Sequence, residues 1–124
     1  MRSLMSTTAA IAALGLLATA AYAGSNGLDA RSIKGLFPGY FEAKVQGYRV
    51  QFTGLGNGTL KGVAYGQQDQ GYWSVKDNNL CVAWKEWTKG KSKCGSISQK
   101  SGWFVASNSS GEILRFRRAM IAQQ

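Results

Sequence analysis

The chain of 124 residues contains no histidine, one proline (Pro38), two cysteines and six carboxylates, and each scarcity excludes something. Without histidine there is no Ser-His-Asp or Cys-His relay, no HExxH zinc site and no ordinary general base near neutral pH. The six acids, Asp29, Glu42, Asp69, Asp77, Glu86 and Glu112, show no spacing that singles out a glycosidase pair, so they read as scattered surface acids. No cofactor motif and no metal-ligand set emerges, and the expectation is a non-catalytic protein.

Long apolar runs are also scarce, with one exception at the N-terminus. Arg2 precedes the apolar stretch Ala9 to Ala21, and Ala21-Tyr22-Ala23 has the small-x-small form of a cleavage site. That run is too short to span a bilayer and reads as a secretory signal over residues 1–23, cut before Gly24. The expected location is periplasmic or secreted, with 24–124 as a single β domain and no membrane span.

Export gives the two cysteines a meaning. In an oxidising compartment Cys81 and Cys94 pair as one disulfide; a soft metal site would need further ligands and a closer spacing. Closing a loop of about 14 residues contributes roughly 3 kcal/mol in the chain-entropy model.

What the chain has in quantity is glycine and positive charge. Sixteen glycines suit short strands joined by tight turns. Fifteen basic and six acidic side chains give +9, and removing Arg2 leaves +8. Such a field attracts polyanions and anionic surfaces. In an exported protein it favours an envelope component, such as an acidic glycan or a phospholipid headgroup, over nucleic acid.

Ser25 and Asn26 are placed to cap a short helix over about Leu28 to Phe37, ended by Pro38-Gly39. Alternation then changes to a period of two. Strands are predicted over Tyr48–Phe52, Leu60–Tyr65, Gly71–Lys76, Leu80–Trp84, Cys94–Ser98, Trp103–Ser107 and Ile113–Ile121. Asn57-Gly58 is read as a type I′ hairpin turn. The fold class is therefore mainly β: a single antiparallel meander of about seven strands, forming a small barrel or strongly bent sheet, with a short N-terminal helix and one disulfide.

The series Asn57-Gly58-Thr59, Gly71-Tyr72-Trp73-Ser74-Val75, Leu80-Cys81-Val82-Ala83-Trp84 and Lys93-Cys94 resembles short exported alphaproteobacterial proteins of unknown function. They share a G-x-W-x-V strand, an L-C-x-x-W strand and a following cysteine. The resemblance spans about Leu36 to Trp103 and implies a disulfide-pinned β-meander in an exported protein. The basic 85–93 hairpin and the Arg-rich last strand depart from the pattern.

Two constellations are candidate binding sites. Lys85, Lys89, Lys91 and Lys93, with Trp84 and Trp87, lie in one hairpin beside the disulfide. Alternation puts Trp84 on the Leu80/Val82 face, as core, and Trp87 on the opposite face, where an indole can stack on a ligand above lysines on a mobile tip. Arg115 and Arg117 share a face of the last strand and could form a clamp for an oxyanion. The competing readings are a solvated hairpin whose lysines protect a sheet edge and a solvated strand face. The glycine run Gly54 to Gly58 is a turn and not a phosphate loop, because no helix follows it. Ser101-Gly102-Trp103 resembles the turn of periplasmic inhibitors of C-type lysozyme. It supports an alternative as an inhibitor or accessory subunit on another protein, although the positive charge opposes docking to a cationic enzyme.

Overall fold

The computed structural model describes residues 27–120. The signal segment, its cleavage site and the Ser25/Asn26 cap lie outside the described residues. Eight antiparallel strands in sequence order close on themselves as a barrel. They are β1 (Gly39–Val45), β2 (Tyr48–Gly54), β3 (Thr59–Ala64), β4 (Gln67–Lys76), β5 (Asn79–Trp84), β6 (Lys93–Lys100), β7 (Trp103–Asn108) and β8 (Gly111–Arg118).

The strand that the sequence reading lacks is β1. It pairs with β2 along its length and with β8 from Phe41↔Arg118 to Lys44↔Arg115. A meander is thereby converted into a closed barrel. Closure removes every sheet edge, the fate that an eight-stranded sheet of this twist permits. The last strand ends at Arg118 and not near Ile121.

Alternate residues point inward and fill the lumen. Phe41 (fully buried), Phe52, Phe104 and Phe116 form a connected set of rings, with centroids 5.1 Å apart for Phe41–Phe52, 5.6 Å for Phe41–Phe116 and 5.3 Å for Phe104–Phe116. Ala43, Leu60, Leu80, Ile97 and Ala106 are buried beside them. An eight-stranded barrel has an interior just wide enough for side chains, and here they occupy it.

One end of the barrel is plugged. Helix α1 (Ala30–Lys34) is shorter than the 28–37 expected, and its N-cap is Asp29, whose Oδ1 accepts from the Ser32 N–H at 2.8 Å. Asn78, in the β4–β5 turn, accepts from the Ala30 N–H at 2.8 Å, and the Leu28 N–H donates to the Ile97 carbonyl at 2.8 Å. Ile33 is thereby driven into the core. Phe37 stacks on Trp73 with centroids 4.0 Å apart, against Gly54, where a Cβ would stand 2.5 Å from the Phe37 ring.

Strand direction assigns the turns to the two ends. The plugged end carries the 55–58, 77–78 and 101–102 turns, and the other end carries 46–47, 65–66, the 85–92 loop and 109–110. The 55–58 turn is not type I′. Gly58 has φ 96° whereas Asn57 stays at negative φ, using its Oδ1 to accept from the Thr59 N–H at 3.1 Å. Paired positive φ values occur instead at Gln46-Gly47, Tyr65-Gly66, Lys89-Gly90 and Ser101-Gly102.

Candidate functional site

The loop between β5 and β6 is held by a buried carboxylate. Asp69 has 6% exposure and points inward from β4 between the small neighbours Gly62 and Gly71. Its Oδ2 accepts from the Glu86 and Trp87 N–H groups at 2.9 and 2.8 Å, and its Oδ1 accepts from the Gln70 N–H at 2.8 Å. Burial pushes its pKa up, but the three N–H donors and the nearby Lys85 charge outweigh that and hold it below the usual carboxylate range. Asp69 is therefore not one of a scatter of surface acids. It is the latch of the loop.

Thr88 is the second fastener. Its hydroxyl accepts from the Trp84 N–H at 2.9 Å and reaches the Lys91 carbonyl at 2.7 Å. Lys89 (φ 54°) and Gly90 (φ 77°) turn the chain, and the Gly90 N–H returns to the Trp84 carbonyl at 2.8 Å. The tip is thus tied down by hydrogen bonds, contrary to the mobile tip expected.

Trp87 is also placed differently from expectation. Strand β5 ends at Trp84, so alternation stops there and the chain folds back. The Trp84 and Trp87 rings lie 4.7 Å apart on the same side, both against Gly62, where a Cβ would meet Trp84 Cη2 and Trp87 Cζ3 at 2.9 Å each. Trp87 is half-buried and acts as a lid on Trp84, a placement that leaves the lysines as the outward groups of the loop.

Lys85, Lys89, Lys91 and Lys93 are all exposed. Among the described residues the salt bridges are Arg115–Glu112 and Arg117–Glu42, so none of the four lysines is matched to a carboxylate. The disulfide Cys81–Cys94, directly cross-strand with Cα atoms 4.0 Å apart, staples β5 to β6 one residue beyond Lys93.

Arg115 and Arg117 do share the outer face of β8, but each already has a partner. Arg115 donates to both oxygens of Glu112 at 2.9 and 2.7 Å, a bond that raises the arginine pKa and lowers that of the acid. Arg117 is bound to Glu42 across the β1–β8 seam and lies over the Trp103 ring, 4.3 Å from its centroid. Strands β6 and β7 stand between this face and β5, so the barrel does not bring the two basic sets together.

Two further features of the outer surface were absent from the sequence reading. Tyr48 and Tyr65 meet edge to face at 5.6 Å and remain 57% and 71% exposed. The outer faces of β2, β3 and β4 also frame a groove of about 750 Å3 that runs to Lys85 and Glu86. Comparison with protein-family models, with curated proteins and with solved structures gives no match.

Proposed function

We propose that this is an exported, non-catalytic binding protein of the cell envelope, which holds an anionic partner on the Lys85–Lys93 loop. The observation that carries this reading is a basic loop with built-in rigidity. Four unmatched lysines project from a segment fixed by Asp69, Thr88 and the disulfide. A loop whose lysines served only to hydrate it would not need three separate fastenings. Edge protection has no object either, because the closed barrel leaves no edge strand beside the loop. The aromatic filling of the lumen also leaves recognition to the outer surface and the rims.

The mechanism is electrostatic capture. The fixed loop backbone keeps the four lysine stems close together, so less chain has to be ordered on binding, and none of their ammonium groups is taken up in a salt bridge among the described residues. Phosphate, sulfate or carboxylate oxygens of an envelope glycan or headgroup suit them. Arg115 and Arg117 contribute less, since Glu112 and Glu42 already occupy their guanidinium groups.

The test is retention on an anionic matrix of the variant with Lys85, Lys89, Lys91 and Lys93 all replaced by Glu. The wild-type protein should be retained and the variant should elute in the void at low salt, with both melting alike because the headgroups are exposed. Unchanged retention of the variant would refute the loop as the site, and the reading as an accessory subunit on another protein would replace it.

A further inference from the structure

The groove on β2–β4 continues from the lysine loop, and its lining is not that of a simple polyanion site. Register places side chains of the outer face in rows that cross the strands. One row runs Tyr40, Thr53, Lys61, Gln70, from β1 to β4, and the Lys85 N–H bonds to the Gln70 carbonyl at 2.9 Å, extending the row to the loop. The second row runs Gln51, Val63, Gln68. All of these line the same groove of about 750 Å3.

Three exposed glutamine amides lie in two adjacent rows, neutral groups that both donate and accept. Sugar hydroxyls also do both, so each amide satisfies a hydroxyl pair without charge. Phosphate and carboxylate, which accept only, would use half of that capacity. Neighbouring strands are about 4.8 Å apart, so successive groups in a row recur at about the length of one sugar ring. Lys61 lies within the first row and Lys85 at its end, the direction in which the loop's charge rises. Of the two acids that line the groove, Asp69 is already occupied by backbone N–H groups, and Glu86 is exposed at the loop end of the row. Apolar depth for an acyl chain is lacking in these rows, where Val63 is the aliphatic member.

We infer that this groove takes an acidic polysaccharide laid across β2, β3 and β4, with its hydroxyls on Gln51, Gln68, Gln70 and Thr53 and its acidic groups on Lys61 and Lys85. This rests on the reading of the lysine loop as an anion site and narrows its ligand to a glycan.

The experiment measures binding of the full chain to polygalacturonate, to its methyl-esterified form and to polyphosphate at matched salt. Wild-type protein should prefer polygalacturonate to the ester. The variant Gln51→Ala/Gln68→Ala/Gln70→Ala should lose about tenfold or more in polygalacturonate affinity, while polyphosphate affinity stays within about twofold, since the hydrogen bonds and not the charge have gone. A variant that binds polygalacturonate as the wild type does would overturn the groove. Binding of polyphosphate alone by the wild type would also overturn it, yet leave the loop reading intact. Polyphosphate binding that survives the lysine-to-glutamate exchange would instead overturn the loop.

Discussion

At the scale of single residues, Asp69 decides most. It receives three backbone N–H groups, two of them from residues 17 and 18 positions along the chain. Replacing it by Ala leaves these donors without their charged acceptor, a loss of about 3 kcal/mol. Urea unfolding should show this, and loop amides at Glu86 and Trp87 should lose their hydrogen-exchange protection. The pH dependence follows from the direction of its shift. Its folded pKa lies below the unfolded one, so the stabilisation is complete above the ordinary carboxylate range. It is lost as pH falls through the folded value, and Asp69→Asn should flatten the acid limb of the stability curve. Nothing local announces this role, because an acid in a strand of glutamines looks solvated until its distant partners are known. Glycines act at the same scale: at Gly71 a Cβ would lie 2.2 Å from the Ala83 carbonyl oxygen, so Gly71→Ala must displace β5.

At the scale of elements, the sequence was readable where a period continued and misleading where it stopped. Strands β2 to β8 follow the alternation of their inward residues, such as Leu80, Val82 and Trp84. Extending the same alternation past Trp84 put Trp87 on the wrong side, because the chain leaves the strand there into a turn over residues 85–87, whose Glu86 and Trp87 N–H groups go to Asp69. Strand β1 was missed because Pro38-Gly39 read as punctuation and Ala43 is a weak apolar signal, although Phe41 and Ala43 are deeply buried. The turns Gln46-Gly47 and Tyr65-Gly66 lack the Asn or Asp that usually marks a type I′ turn. The consequence is measurable. Trp87→Ala should cost about 2 kcal/mol, less than the 3–5 kcal/mol expected for a fully buried Trp, but far from neutral. Neutrality in thermal or urea unfolding would free Trp87 from its packing role and restore it as a ligand group.

At the scale of the whole molecule, the closed barrel gives its two ends different surfaces. One end is sealed by α1, Phe37 and Trp73, and the other presents the latched lysines and the Tyr48–Tyr65 pair. The disulfide joins neighbours that the sheet already pairs, and its contribution comes from constraining the unfolded chain. Cys81→Ala/Cys94→Ala should lose roughly 3 kcal/mol while keeping the barrel, and both thiols should resist alkylation until reduction. The candidate lysines were legible because they lie together in sequence. The groove was not, since its glutamines are joined by strand register.

The central claim is that the Lys85–Lys93 loop captures an anionic partner by charge, and the salt dependence of binding tests it most directly. With polyphosphate as the probe, log affinity of the wild-type protein plotted against log salt should fall with a steep slope, since capture by several lysines releases counterions. Replacing Lys85, Lys89, Lys91 and Lys93 by neutral Gln should cut that slope by more than half, whereas Arg115→Gln/Arg117→Gln should change it little. Equal slopes for the wild-type protein and the lysine variant would contradict the account.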